Sequence, residues 1–413
     1  MELATDQGKT VDLNLRLFDL NTNVTTDAGL SVENKTFYEK TLIAMAEPKL
    51  VHDQFGQKKD IPKGGGKTIE FRKFAPLPKL LTPLEESVTP DGQKISVSAI
   101  TAQVHQYGGY VPVSDVLELT AIDPIITETT KMIGGQSGRS LDTITREVLA
   151  GGTNVQYGAG AKFARHQLVG GEQAGNDTLT VDAIKRAVRA LKVMNAEPIG
   201  ESFVAIVHPD VTYDLTSDPE WKYPHQYVDT ENLYSGEIGK VAGVRFVETT
   251  EAKVVKAKNL ATDARNLTVN GAATGTTTVT FDGGSVAASA LVGRKVLIGE
   301  TLATVTANTT TTLTLDTAVT AADNAVIYPG EAGAKGRDVY VTLVLGDNAY
   351  GVTSIEGGGL EHIFKPRGSG GTSDPLNQRS TIGWKGMKTA VRLVEEYMVR
   401  IETCSSLTDA PAN

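Results

Sequence analysis

A single cysteine, Cys404, stands among 413 residues, so the chain can form neither an internal disulfide nor a cysteine-based zinc site. It closes the run Val399-Arg400-Ile401-Glu402-Thr403-Cys404, where a buried core thiol is the simplest reading. Histidine is scarce too. His52, His105, His166, His208, His225 and His362 include no i, i+4 pair of the kind that binds zinc from one face of a helix. Positive charge is in deficit: the net charge is −9 and the isoelectric point about 5.3. Proteins that grip phosphate backbones draw affinity from clustered Lys and Arg, so the balance argues against a dedicated nucleic-acid binder. No run of ~18 apolar residues exists to span a bilayer, and the first residues lack the basic-then-apolar layout of a signal peptide. The expectation is a chain folded in a cytoplasm without a membrane partner.

Catalytic spacing is missing as well. Lys63-Gly64-Gly65-Gly66-Lys67-Thr68 ends like a phosphate-binding loop, but Ile61 stands where the first glycine belongs. A strand rather than a helix is expected next, so a hinge is the better reading. His208-Pro209-Asp210 offers a carboxylate beside an imidazole. The residues after it, Val211-Thr212-Tyr213, point instead to a strand-to-helix turn with Asp210 as cap. No Gly-x-Ser-x-Gly elbow occurs. Glu85-Glu86 and Glu395-Glu396 fall on opposite faces of strand or loop, a poor arrangement for paired acid–base work. No catalytic, metal or cofactor-binding residue is therefore assigned.

What the chain does have is ordinary globular composition, 40% hydrophobic and 22% charged, with 42 glycines that call for many turns. Its length suggests two to four structural units at ~100–200 residues each. Residues 1 to about 50 begin polar and rich in Thr and Asn, then turn helical around Val32–Leu42, as an extended arm would. Residues 60–113 form a two-stranded excursion. Thr68-Ile69-Glu70-Phe71-Arg72 alternates, Pro76, Pro78 and Pro83 interrupt pairing, Pro90-Asp91-Gly92 signals a tight turn, and the return runs from about Ile95 to Gln106. A lone hairpin is marginal in water, so its partner is expected elsewhere, on another subunit.

Asp123-Pro124 opens a helix carrying Leu141, Ile144 and Val148, closed by Gly151-Gly152. A second helix starts at Thr180, with Ile184, Val188 and Leu191 on one face, and ends near Asn195. The basic residues Lys185, Arg186 and Arg189 make its solvated face. Strands are expected at Phe203–Val207, after the Gly236–Val247 turn, at Val339–Leu345, and as a last pair near Ile382–Trp384 and Ala390–Glu402. Residues 259–333 are an island of Thr, Ala, Gly and Val, with tight turns at Asn270-Gly271 and Asp282-Gly283-Gly284. They read as a small all-β module inserted between strands.

The order of these parts resembles the Hong Kong 97-type major capsid protein of tailed bacteriophages. The segments that carry the likeness are Leu50–Gln57, Gly65–Arg72, Ser114–Leu117, His208–Asp210, Gly239–Phe246 and Gly383–Gly386. It covers nearly everything except the island. The resemblance implies an α+β fold: an N-terminal arm (1–59), an extended β-hairpin loop (60–113) and a peripheral domain with a long spine helix (114–200). An axial domain follows (201–258 and 334–375), interrupted by the β-rich insertion (259–333), and returning peripheral strands close the chain (376–413).

It further implies self-association into hexamers and pentamers of an icosahedral shell in the virion, assembled in the host cytoplasm. Portal, scaffolding and decoration proteins would be partners, and double-stranded DNA would be enclosed without sequence-specific contact. Candidate intersubunit residues are Arg72, Lys73, Glu85 and Glu86, with the turn Pro90, Asp91 and Gly92. The insertion, whose aromatics are only Phe281 and Tyr328, is expected to face outward and brace neighbours rather than bind glycans. Two rivals stay open: an encapsulin-like compartment shell, and a hydrolase or binding module built on the His208 turn.

Overall fold

The computed structural model describes residues 51–74, 77, 79–81, 83, 92–121, 125–158, 162–171, 177–221, 239–263, 266–353, 360–371 and 374–407. Most of the arm, the Asp123-Pro124 cap and part of the excursion tip lie outside them. In chain order the first strands are β1 (Gln57–Lys58), β2 (Thr68–Phe74), β3 (Val97–Gln103) and β4 (His105–Ser114). The helices α1 (Asp115–Thr120) and α2 (Ile125–Ala150) follow, then β5 (Val155–Tyr157), α3 (Val181–Val193), β6 (Phe203–Val207) and α4 (Pro209–Ser217). Next come β7 (Lys240–Val241), β8 (Val244–Glu248), β9 (Val254–Val255), β10 (Leu267–Val269), β11 (Ala273–Asp282) and β12 (Lys295–Ile298). The remainder are β13 (Thr301–Asn308), β14 (Thr312–Ala321), β15 (Val326–Pro329), β16 (Val339–Leu345), β17 (Tyr350–Thr353), β18 (Glu361–Lys365), β19 (Arg379–Arg392) and β20 (Met398–Thr403).

The chain divides into two compact units, 1–47 with 106–137 and 358–387, and 48–105 with 138–357 and 388–413. In the first unit β18 runs antiparallel to the start of β19, Glu361 opposite Lys385 and Lys365 opposite Thr381. Strand β4 also pairs with β19. That approach is close enough to demand glycine. A side chain at Gly108 would reach within 2.6 Å of the Trp384 carbonyl, and one at Gly383 within 2.9 Å of Tyr110. The Ser114 hydroxyl caps α1 by accepting from the Leu117 amide.

The second unit is built on the sheet β5-β20-β16-β6-β8-β7, with β9 also on β16. Its central strands β6 and β16 are buried along their whole length, and their period-2 alternation sorts side chains to two cores. Phe203, Ala205, Val207, Tyr340 and Val344 join Ile184, Val188 and Leu191 of α3. Ile206, Val341, Leu343 and Leu345 join Leu149 of α2, Tyr350 and Val51. The α3 stripe and its Thr180 cap stand where the spacing places them. Strands β6 and β8 run parallel.

Two expectations change. The helix after His208-Pro209-Asp210 is capped by His208, whose Nδ1 accepts from the Asp210 amide at 3.3 Å. Asp210 instead accepts the Tyr340 hydroxyl at 2.8 Å. The residues taken for a last strand pair fall mostly in β19 and β20, which do not pair with each other: β19 pairs with β17 and β18, and β20 with β16 and β5.

Within 259–333 six strands close a barrel in the order β10-β11-β14-β13-β12-β15. Alternate residues, Val279 and Phe281, Val296 and Ile298, Leu313 and Leu315, fill its interior. The strands on either side of it, β9 and β16, pair with each other, Val255 opposite Val339. Entry and exit therefore lie side by side. At this neck the Arg294 guanidinium binds the Glu331 carboxylate and the carbonyls of Asn259 and Lys258. Arg165 reaches the Glu331 carbonyl at 3.3 Å and grips the buried Glu402 carboxylate with two hydrogen bonds, which raises the pKa of the guanidinium.

The barrel turns rest on left-handed glycines. Gly283 has φ +86° and its missing Cβ would lie 2.6 Å from the Asn266 carbonyl, whereas Gly271 has φ +80° and open space. Gly271→Ala should cost about 1–2 kcal/mol from backbone strain alone. Gly283→Ala adds the clash, and about 2–4 kcal/mol is expected. Urea midpoints of the two variants would show the larger drop for Gly283→Ala, and equal drops would contradict the close approach.

Candidate assembly interface

The excursion starts from a turn in which the Gly65 amide donates to the Pro62 carbonyl, with Gly64 and Gly66 at φ +88° and +89°. A strand follows, so no helix N-terminus is available to a phosphate. Strand β2 then pairs with β3 over seven positions, Thr68 opposite Gln103 to Phe74 opposite Val97. Alternation buries Ile69 and Phe71 while Glu70 and Arg72 face out. The Phe71 ring lies over Gly351 of β17, where a Cβ would come within 2.7 Å, and the Lys59 ammonium sits 5.8 Å from the ring centroid. Phe71 thus seats the ribbon near its root.

Further out the side chains lose their cover. Leu80 and Leu81 are 77% and 84% exposed, and Leu77, Ile95 and Val97 are exposed as well. Leu77, Leu80, Leu81 and Ile95 lie beyond the last described pair, Phe74 with Val97, so among the described residues no strand pairing covers them. Of the candidate residues, Arg72 is exposed and bonds Glu70 of its own strand at 2.9 Å. Exposed pairs of this kind contribute little. Lys73 pairs through its backbone with Ser98, and its side chain lies outside the described ones. Glu85, Glu86, Pro90 and Asp91 lie outside the described residues. Gly92 is exposed, with open space around it.

At the foot of the excursion lies a buried polar anchor that the sequence reading missed. His52 and Asp142 are fully buried and meet twice: the His52 amide donates to Asp142 Oδ1 at 2.9 Å, and its ring Nδ1 lies 2.6 Å from Oδ2. Asp53 accepts the Thr145 hydroxyl at 2.6 Å and the Lys388 ammonium at 2.5 Å. Lys388 also donates to the Leu141 carbonyl at 2.7 Å, and the Tyr350 hydroxyl donates to the His52 carbonyl at 2.5 Å. The anchor ties residues 52–53 to α2, β17 and β19. A signal was available on α2, where Asp142, Thr145 and Arg146 occupy core positions between Leu141 and Leu149. Burial lowers the Lys388 pKa, with the Asp53 charge opposing. Burial, then Asp53, pushes the Tyr350 phenol far above its ordinary value.

None of this is catalytic geometry. Among the described residues no group of three His, Cys, Asp or Glu could hold a metal. His208 is committed as a helix cap, its ring 5.1 Å from that of Tyr340, and burial lowers its pKa against the pull of Asp210 and Glu248.

Comparison with known proteins points the same way. The sequence model of a family described as phage capsid protein matches residues 123–313. The matched span runs into the barrel, which the likeness drawn from sequence had left out. The capsid of Ralstonia phage GP4 is similar in structure at 11% identity, over 95% of this chain and 100% of that one, with a TM-score of 0.55. The capsid of cyanophage P-SCSP1u is similar at 14% identity, over 92% and 93%, with a TM-score of 0.53. That of cyanophage Pam1 gives 12%, 85% and 89%, and 0.52. No curated protein matches. At these identities the likeness is one of fold, and the fold is that of phage capsid structures, which bears out the coarser part of the resemblance seen in the sequence, that to phage capsid proteins.

The Tyr350 phenol supplies a pH test of the anchor. A folded-state pKa above the unfolded value of about 10 gives stability that is full below pH ~10 and is lost as pH rises beyond it. Tyr350→Phe should cost about 1–2 kcal/mol near neutrality through the lost hydrogen bond. Above pH ~10 wild type should fall toward the variant. Urea midpoints of both proteins measured from pH 8 to 11 would show the gap closing, and a constant gap would contradict it.

Proposed function

We propose that this chain is the major capsid protein of a tailed double-stranded DNA phage, a Hong Kong 97-type subunit that forms the hexamers and pentamers of an icosahedral shell. The observation that supports the reading is the excursion, a ribbon paired at its base with the exposed apolar residues Leu77, Leu80, Leu81 and Ile95 beyond its last described pair. A monomeric protein gains nothing from such a ribbon. A shell subunit gains an arm that buries its surface on a neighbour, so that local ordering and assembly become one event.

In this reading residues 1–59 are the arm and 60–113 the extended loop. Residues 114–200 and 376–413 form the peripheral domain, with α2 as its spine, and 201–258 and 334–375 the axial domain at the capsomer centre. The barrel of 259–333 is an insertion, supported by the pairing of β9 with β16 at its neck, and it braces neighbours from the outer surface. Arg72, Lys73, Glu85, Glu86, Pro90, Asp91 and Gly92 contact the next subunit. Portal, scaffolding and decoration proteins are the further partners, and the acidic wall encloses DNA without adhering to it. The subunit is a structural protein of the virion, assembled in the host cytoplasm. An encapsulin-like shell would share the fold, but the family match is to phage capsid proteins.

Removing residues 62–112 tests the reading. The variant is expected to keep its far-ultraviolet circular dichroism and a cooperative melt, and to form no shells by electron microscopy under conditions where the intact chain does. Normal shells from the deletion would overturn it.

A further inference from the structure

Strand β18 pairs with β19 on one side through five positions, Glu361 opposite Lys385 to Lys365 opposite Thr381. Among the described residues no strand pairs on its other side. All five of its residues are exposed or half-exposed. Alternation puts Glu361, Ile363 and Lys365 on one face, where Ile363 and Lys365 line a groove with Tyr110, Gly383 and Trp384, and puts His362 and Phe364 on the other. A free strand edge presents a row of amides and carbonyls that templates another strand unless something guards it. Lysine is a common guard, and Lys365 stands at the end of this edge, just before Pro366.

The edge is complementary to itself. When two copies of Glu361-His362-Ile363-Phe364-Lys365 lie antiparallel about a two-fold axis at Ile363, Glu361 of each faces Lys365 of the other. His362 then faces Phe364, again twice, and Ile363 faces Ile363. Opposite charges set directly across an antiparallel pair stabilise it and like charges destabilise it. The lysine that would repel other strands therefore meets a carboxylate only on a copy of its own edge. Glu361 already lies 2.9 Å from Lys385 of its own chain, and in the pair its carboxylate sits between two cations. Slipping by one residue sets Glu361 against Phe364 and Lys365 against Leu360, so the charges also fix the register. We propose that β18 is a self-pairing edge at which two copies of the chain join antiparallel, making one continuous sheet in the order β19-β18-β18-β19. The inference rests on this sequence and edge, goes beyond the shell reading, and needs only two copies.

Disulfide trapping on the full-length chain, as soluble subunit and as particles, tests this. Residues directly opposed in an antiparallel pair have Cα atoms ~4.5–5.5 Å apart, within reach of a disulfide, whereas the two copies of residue 360 would lie roughly 20 Å apart. Under mild oxidation Ile363→Cys should therefore give at least about ten-fold more disulfide-linked dimer than Leu360→Cys. Wild type, whose Cys404 is buried, supplies the blank. On the Ile363→Cys background, Glu361→Lys and Lys365→Glu should each lose the dimer, because like charges then face each other twice. An equal mixture of the two variants should regain it, since each lysine meets a glutamate of the other chain. No dimer from Ile363→Cys in either state, as much from Leu360→Cys, charge variants that cross-link like their parent, or a mixture no better than its components would each overturn the pairing. Dimer trapped from a chain that builds no particles would support the pairing and count against the shell reading alone.

Discussion

The pair of buried contacts made by His52 with Asp142 and by Asp53 with Lys388 is the constraint from which the rest of the second unit takes its order. Two consecutive residues, at the point where the arm ends and the excursion begins, are held to α2 and β19 by charged hydrogen bonds in a buried site. Breaking one partner of such a cluster leaves an uncompensated buried charge, a cost of about 3–5 kcal/mol. The chain therefore leaves this point in a fixed direction. The Tyr350 hydroxyl on the His52 carbonyl and the Phe71 ring over Gly351 extend the same seat to the first turn of the excursion.

Around that seat the molecule separates into parts that close on themselves and parts that do not. The central sheet buries both faces, one under α3 and α4 and the other under Val51 and the end of α2. The barrel buries its own interior and joins the sheet through a neck fastened by Arg294, Glu331, Arg165 and Glu402. By contrast Val97 at the start of β3, and Leu77, Leu80, Leu81 and Ile95 beyond the last described pair of the ribbon, are exposed. Hydrophobic burial dominates folding, so surface left open by a chain that packs so well elsewhere marks where a second chain belongs. A shell subunit needs this division, since it must fold before it assembles and still keep something to bury.

Much of this was legible in the sequence because it depends on local periodicity. Strands β6 and β16 announced themselves as continuous apolar runs, α3 by its stripe behind Thr180, and the barrel by alternating Thr and apolar residues between Asn270-Gly271 and Asp282-Gly283-Gly284. Only the α2 side of the anchor carried a local signal; its pairing was not legible because the partners are remote, Asp53 and Lys388 lying 335 residues apart. Strand β19, one 14-residue strand from Arg379 to Arg392, is divided by the sequence reading between the two members of the expected last pair. The cap at α4 went to the wrong residue because Asp is the commoner N-cap, while here the His208 ring nitrogen accepts and Asp210 is drawn to Tyr340. Of the residues expected at a subunit contact, Arg72 is exposed, but its ion-pair partner Glu70 lies within the same strand.

The account turns on the claim that the folded subunit is incomplete alone. Light scattering on the purified chain across protein concentration and ionic strength measures this most directly. The account predicts closed particles of megadalton mass, hollow and uniform by electron microscopy, formed from subunits that are already folded. A species that stays at the 43.8 kDa of one chain under every assembly condition, stable and without association, would contradict it.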